Sequence, residues 1–223
     1  SARIPGGSPM QNVHFRRALT MAIDKADMIE AGFAGLGEPA YSPTMPGIPG
    51  FPTLNADTAP YRFDVPAALA EMALALEELD VAKPQPRTIP KSTDECDDTC
   101  QHTRAWVKML DPIKFGYNCD AGHDQRVLYL TNSWRDNLGF TAPQMDIRCT
   151  DFAGWRSVRR FSPDVYDIVR DGWGADFPHP DNQNRDLFSC RAVSNRSDYC
   201  NPAYDALLKE GAEAATYEES LPF

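Results

Sequence analysis

The sequence has few of the features that would support catalysis or membrane insertion. It contains only 4 histidines, at scattered positions without the partner spacing of a metal site or a catalytic pair. It also lacks the motifs GxSxG, HExxH, GxGxxG and Walker A, so nothing in it supports an enzyme, and no cofactor is expected. No apolar run approaches the roughly 20 residues that cross a bilayer. The N-terminus does not show the basic-then-apolar pattern of a secretory signal.

Positive charge is also scarce. The chain has 22 Lys and Arg against 32 Asp and Glu, which gives a formal net charge of -10. Nucleic acids and anionic membrane surfaces require a basic surface, so this balance argues against both as partners. A hydrophobic content of 42% and a charged content of 24% are typical of a soluble globular protein.

The cysteines are numerous for this length, and their number is even. An even number favours a disulfide-permissive compartment over the alternative of buried free thiols in a cytosolic protein. The spacing CDDTCQH around Cys96 and Cys100 also suggests a metal cluster, but no second pair of ligands completes a zinc site, so a local disulfide is favoured. Cys190 and Cys200 flank a polar loop and are expected to be bridged. Cys119 and Cys149 end two predicted strands and form the third candidate pair.

Helical periodicity is clear in the first third of the chain. Residues 1–12 are rich in Gly, Pro and Ser and are interpreted as an exposed lead-in or an expression remnant. Apolar residues from Phe15 to Ile23 predict an amphipathic helix, and Asp24 and Asp64 suit the N-caps of two further helices. The proline-rich stretch 38–60 predicts an extended loop. Residues 80–112 are interpreted as an irregular insertion with a short helix around 106–110.

Strands and helices then alternate. Strands are predicted at 113–119, 144–149 and 166–169, with helices at 123–138 and after Asp151 between them. This order implies a parallel sheet with right-handed crossovers. A last helix opens at Asn201 and Pro202, with Tyr204, Leu207 and Leu208 facing inward. The prediction is a single α/β domain over residues 13–223, mainly a parallel sheet flanked by helices.

Ligands of open α/β sheets bind outside the carboxyl ends of the strands, where Asn118–His123, Thr150–Trp155 and Asp171–Pro180 are expected. In the third segment an indole offers a flat apolar wall and a carboxylate can pair with a cationic group. Small neighbours let a ligand approach the backbone, and an arginine can pair with a ligand carboxylate. Taken alone, these residue types fit a core tryptophan and a solvated aspartate better, and His179 is interpreted as exposed. The candidate ligand-binding residues are Arg170, Trp173, Gly174, Ala175 and Asp176.

Five segments, in this order, resemble the peptide/nickel-type solute-binding proteins of ABC transporters, the oligopeptide- and dipeptide-binding family. The resemblance runs over nearly the whole chain. The segment 80–112 departs from it, because the family usually has a shorter link there. The five segments are NVHFRRALTMAIDKADMIEAGFAGLGEPAYSP, YRFDVPAALAEM, LTNSWRDNLGF, YDIVRDGWGADFPHPDN and NPAYDALLKE.

The resemblance implies a type II periplasmic-binding-protein-like lobe, one of two lobes that close on a solute and deliver it to a permease. It implies a bacterial location in the periplasm or at the outer face of the cell membrane, a monomer, and membrane contact only through a lipid anchor or the permease. Asp176 matches the family aspartate that pairs with a peptide α-amino group. Trp173 matches an aromatic of the same pocket, and Arg170 matches a position that meets the terminal carboxylate in some members.

The same scaffold in other members binds sugars, nickel complexes or other solutes, and a sensor or receptor domain is a further alternative. The resemblance also implies that the chain is an isolated lobe that carries half of the binding site.

Overall fold

A computed structural model describes residues 8–45, 47–48, 54–93, 95–161, 165–197 and 199–216. The chain divides into two compact units, which are described separately. Unit 1 comprises Ser1–Gly37 and Thr58–Arg170, and unit 2 comprises Glu38–Asp57 and Asp171–Phe223. The assignment of residues 13–223 to a single lobe remains a prediction.

A small parallel sheet lies at the centre of unit 1. Its strands are β1 (Ile113–Asn118), β2 (Met145–Thr150) and β3 (Ile168–Val169). They are arranged in the order β2-β1-β3, and β1 pairs in parallel with both neighbours. The predicted α/β class with a parallel sheet is therefore confirmed, and all three strands end at the same edge.

Helices cover this sheet in unit 1 and make up the regular structure described in unit 2. Among the described residues of unit 1, short 3₁₀ turns lie at Pro9–Gln11, Pro86–Thr88 and Ala142–Gln144. The α-helices of unit 1 are α1 (Val13–Met21), α2 (Lys25–Phe33), α3 (Val65–Glu78), α4 (Asp98–Val107), α5 (His123–Leu138) and α6 (Phe152–Phe161). Those of unit 2 are α7 (Pro180–Phe188) and α8 (Pro202–Glu213). None of these described helices combines the length and apolar character needed to span a bilayer.

The helix boundaries follow the capping residues that the sequence predicts. The side chains of Asp24, Asp64 and Asn201 each accept a backbone N–H from the first turn of α2, α3 and α8. Gly139 ends α5 at a φ of 86°, a left-handed conformation that favours glycine. These three N-caps and this C-terminus are confirmed.

The core of unit 1 lies between the helices and one face of β1. Trp134 packs beside Phe115, with ring centroids 6.0 Å apart, and its Nε1–H donates to the Leu19 carbonyl oxygen at 3.0 Å. The buried indole therefore has a hydrogen-bond partner as well as apolar contacts, as a buried tryptophan requires. Fully buried side chains of this unit include Phe15, Met72, Leu76, Val107, Leu138, Phe140 and Trp155.

Two expectations for the irregular parts of the chain are corrected. Within the predicted lead-in 1–12, residues 8–12 belong to the fold, because Pro9 is buried and Asn12 caps α1, while residues 1–7 lie outside the described residues. The short helix predicted at 106–110 is instead α4, which begins at Asp98. The Asp97 carboxylate caps it by accepting the Cys100 N–H at 2.8 Å, so the acidic stretch starts a helix.

All six cysteines are paired. The disulfides are Cys96–Cys100 and Cys119–Cys149 in unit 1 and Cys190–Cys200 in unit 2. The three expected pairings are therefore confirmed. Cys119–Cys149 joins the carboxyl ends of two neighbouring parallel strands, where the Cys119 N–H also donates to the Thr150 carbonyl oxygen at 2.9 Å.

Gly116 in β1 is required by a close contact. A methyl group on its Cα would lie 2.5 Å from Cδ2 of Tyr166, whose ring also packs 5.9 Å from that of Trp155. We expect Gly116→Ala to lower the free energy of unfolding by about 1–3 kcal/mol, because the ring must move out of a packed site. Urea denaturation of the two proteins measures this. Gly174→Ala is the control, since no described atom lies within 4 Å of the added methyl group, and equal stability of both variants would contradict the account.

Candidate functional site

The predicted ligand-binding loop opens unit 2. Trp173 and Ala175 are half-buried, whereas Gly174 and Asp176 are exposed. The loop leads directly into α7, so the conformation of its side chains depends on how α7 holds it.

A single buried oxygen atom holds the two principal candidates together. Asn182, in the first turn of α7, is 3% exposed. Its Oδ1 accepts the indole N–H of Trp173 at 3.0 Å and the backbone N–H of Asp176 at 3.2 Å. Its Nδ2 donates to the Asp186 carboxylate at 3.4 Å. The indole and the aspartate backbone are thus fixed with respect to each other, while the Asp176 side chain remains exposed.

His179, at the start of α7, is less exposed than the sequence predicts. This residue is half-buried and caps the helix, because its Nδ1 accepts the Asp181 N–H at 3.0 Å. Pro180 occupies the first turn, where its missing N–H costs no hydrogen bond. The interpretation of His179 as an exposed side chain was therefore wrong. Buried Gln183 also contributes, since its Oε1 accepts the Met45 N–H at 3.0 Å and links α7 to the segment Glu38–Asp57 of the same unit.

Helix α8 supports α7 through polar contacts. Arg185 pairs with Asp181 one turn earlier, and its Nη2–H donates to the Leu208 carbonyl oxygen at 2.6 Å. The Asp181 contact also raises the pKa of Arg185. Leu208 is buried and Tyr204 is half-buried, but Leu207 is 44% exposed, so the prediction that these residues face inward is wrong for Leu207. The Cys190–Cys200 disulfide closes the loop between the two helices.

The remaining candidate, Arg170, is the last residue of unit 1 and directly follows β3. Its backbone N–H donates to the Gly116 carbonyl oxygen at 3.0 Å, which continues the ladder between β3 and β1. Its Nη1–H donates to Oδ1 of Asn118, at the carboxyl end of β1, at 3.3 Å. The guanidinium is therefore oriented across the carboxyl edge of the sheet, where an α/β fold binds its ligands.

His123 lies at this edge and was not among the sequence candidates. It is 6% exposed, and its Nδ1 is buried without a hydrogen-bond partner in the described part of the chain. Burial lowers its pKa from the ordinary 6.5, and the charges of Arg170 and Arg126 lower it further. These effects favour the neutral form of the ring. A buried ring nitrogen that lacks a partner is costly unless a ligand or water reaches it.

Sequence reasoning missed Asn182 and His123 for different reasons. Asn182 lies in the polar segment PDNQNRDLF, which has no apolar periodicity to indicate a buried face. The signal that was available is Pro180 followed by Asp181, which is typical of the start of a helix. His123 was treated as one of four isolated histidines because sequence spacing does not show its proximity to Arg170.

We expect Asn182→Ala to weaken binding of a ligand to the candidate loop by about tenfold, because the Trp173 N–H and the Asp176 N–H both lose their acceptor. The measurement is the dissociation constant of the complex between the ligand and the full-length gene product. The fluorescence maximum of the protein should also shift, because the environment of the Trp173 indole changes. Asn184→Ala is the matched control on the same helix.

A rescue variant separates positioning from general damage. Asn182→Asp combined with Asp186→Asn keeps an acceptor at 182 and places the amide at 186, so most of the affinity should return. The positioning role would be contradicted if Asn182→Ala bound as tightly as the wild type, or if the rescue variant folded normally but did not recover affinity.

Comparison with known proteins identifies the class. The family model described as "Bacterial extracellular solute-binding proteins, family 5 Middle" matches residues 5–195. The Bacillus subtilis (strain 168) "Oligopeptide-binding protein OppA" is 25% identical over 203 residues, covering 91% of this chain and 32% of the relative. The "Di/tripeptide-binding protein 1" of Pseudomonas aeruginosa (strain UCBPP-PA14) is 26% identical over 204 residues, covering 91% of this chain and 32% of the relative.

Solved structures show the same fold. Haemophilus influenzae OppA, in complex with the peptide RPPGFSPFR, matches with a TM-score of 0.70 at 20% identity, covering 98% of this chain and 37% of that one. The Escherichia coli murein tripeptide-binding protein MppA matches with a TM-score of 0.69 at 20% identity, over 99% and 37%. These likenesses confirm the type II periplasmic-binding-protein-like fold.

The chain belongs to the bacterial extracellular solute-binding proteins of family 5, as the five sequence segments indicated. Members of this family are binding proteins of the periplasm or the cell exterior. The chain spans about a third of the length of the curated relatives that it matches.

Proposed function

We propose that this chain contributes to the solute site of an extracytoplasmic binding protein of an ABC transporter, and that the solute is a short peptide. The observation that carries this proposal is the loop held by Asn182, which presents an exposed carboxylate beside a fixed indole. Both curated relatives described above are named for binding oligopeptides or di- and tripeptides. The protein acts as a carrier and not as an enzyme.

The Asp176 carboxylate binds the α-amino group of the peptide. An exposed carboxylate on a fixed backbone can pair with an ammonium group without first breaking an internal hydrogen bond, so little reorganisation is needed. Trp173 supplies the apolar wall beside it. Gly174 lets the peptide approach the backbone closely. A methyl group on its Cα would have no described neighbour within 4 Å, so packing within the protein does not require a glycine here.

Arg170 binds the carboxylate of the peptide. A guanidinium presents two parallel N–H donors to a carboxylate. The hydrogen bond of Arg170 to Oδ1 of Asn118 holds this guanidinium at the carboxyl edge of the sheet.

The protein delivers the peptide to permease subunits of the transporter, at the periplasmic or outer face of a bacterial cell membrane. It binds as a monomer that approaches the membrane through a lipid anchor or through the permease. Three disulfides support this location, since such bonds persist in oxidising compartments.

Calorimetry on the full-length gene product tests the class of solute. Peptides of two to five residues should bind with micromolar or better affinity, while sugars and nickel chelates should give no heat. Heat from a sugar or a metal chelate, with none from any peptide, would overturn the peptide assignment and leave the family membership in place.

A further inference from the structure

Unit 1 contains a cavity that has no role in the proposed peptide site. It has a volume of about 460 Å³ and lies between α4 and the end of α5. Helix α4 contributes Arg104 and Lys108, and α5 contributes Arg135. The turn after α5 closes the cavity, because Gly139 approaches Arg104 so closely that a methyl group there would lie 2.7 Å from its Cβ.

The charge around this cavity is opposite to that of the chain. Three cations line it, and its lining includes no Asp or Glu, although the protein as a whole carries a net charge of -10. Arg104 is held in place, since its Nε–H donates to the Asn137 carbonyl oxygen at 3.3 Å. Arg135 pairs with exposed Asp136, and no ion pair of Lys108 occurs among the described residues. Asp136 offsets the charge of Arg135, so Arg104 and Lys108 supply the net positive charge of this cavity.

The positions of the cations at helix ends do not fully explain the cluster. Arg104 and Arg135 stand in the last turns of their helices, where positive charge is favourable. The helix dipole favours cations at these positions on a convex surface as well. Here, however, cations from two helices surround the same cavity. The buried side chains of Ala105 and Phe140 contribute apolar lining. A cavity of a few hundred Å³ that has apolar walls and a few polar groups is typical of a site for a small organic ligand.

We propose that this cavity binds a phosphate group carried by a small organic molecule or by a phospholipid head group. A phosphate dianion suits three cations better than a single carboxylate does, and its three oxygens accept both from a guanidinium fork and from an ammonium group. The site does not depend on the peptide function, because none of its residues belongs to the proposed peptide site.

Binding of glycerol 3-phosphate to the full-length gene product tests this proposal. Saturable binding is expected, and Lys108→Glu combined with Arg135→Glu should weaken it by at least about tenfold, because attraction becomes repulsion. These side chains are exposed, so the fold should persist, and circular dichroism checks this. Lys209→Glu is the control, since this exposed lysine lies outside the cavity and its removal should leave binding unchanged.

Vesicles that contain phosphatidic acid, whose head group is a phosphate monoester like glycerol 3-phosphate, distinguish the two sources of phosphate. Co-sedimentation that excess glycerol 3-phosphate reverses, and that the double charge reversal abolishes, indicates a lipid head group. Binding of glycerol 3-phosphate without vesicle retention indicates a soluble organic phosphate. The proposal fails if neither probe binds saturably, or if the double charge-reversal variant, correctly folded, binds as well as the wild type.

Discussion

Asp176→Asn is expected to weaken peptide binding by at least about a hundredfold, which is the size of effect seen when one member of a desolvated charge pair is removed. The substitution keeps the shape of the side chain and deletes only its charge. The backbone N–H of Asp176 keeps its acceptor on Asn182, so the loop should retain its conformation. Calorimetric titration of a tripeptide into the full-length gene product measures the change.

Asp171→Asn is the matched control for this substitution. Asp171 belongs to the same exposed segment, and its Oδ1 accepts the Gly172 N–H at 2.8 Å, a contact that asparagine can also make. It should bind the tripeptide as the wild type does. Equal weakening by both substitutions would show a general effect of charge, and wild-type affinity of Asp176→Asn would remove Asp176 from the site.

Removal of the disulfide between Cys119 and Cys149 has the largest expected effect on stability. The two cysteines are separated by 30 residues, and closing a loop of that length in the unfolded chain corresponds to about 3–4 kcal/mol on the chain-entropy account. The double substitution to serine should lower the free energy of unfolding by this amount. Urea denaturation followed by circular dichroism, under non-reducing conditions, provides the measurement.

The Cys96–Cys100 pair supplies the control for this prediction. Its cysteines are separated by only 4 residues, so the same account predicts a smaller loss of about 2 kcal/mol for its double serine variant. An equal loss in the two variants would contradict the dependence on loop length. No loss from the longer loop would show that the disulfide does not constrain the unfolded chain.

The parts of the fold that could be predicted are those where local sequence and tertiary structure agree. Alternation of strands and helices from Ile113 to Val169 gave the parallel sheet, because apolar periodicity reports which face is buried. Asp24, Asp64 and Asn201 fixed helix starts, since their side chains satisfy backbone donors within the same turn. Such interactions involve residues near in sequence and are visible without coordinates.

The parts that could not be predicted depend on polar burial or on contacts distant in sequence. Helix α7 buries Asn182 and Gln183, so its inner face has no apolar pattern to detect. The buried Nδ1 of His123 beside Arg170 arises only when β1 and β3 pair. Leu207 has the side chain of a core residue but faces outward, because α8 contacts α7 through the buried Leu208 and polar groups.

The candidate residues Trp173, Gly174, Ala175 and Asp176 were located from sequence because small residues, an aromatic and a carboxylate follow a strand. The structure adds Asn182, which joins Trp173 to Asp176 through one oxygen. Sequence alone does not reveal such a joint acceptor, because the two donors are three residues apart and the acceptor stands on the next helix.

The most direct test of the central claim compares a tripeptide with its N-acetylated form in titrations of the full-length gene product. If Asp176 pairs with the α-amino group, acetylation should weaken binding to the wild type by about a hundredfold and change binding to Asp176→Asn very little, since the same charge pair is already lost. Equal affinity of the two peptides for the wild-type protein would contradict the account.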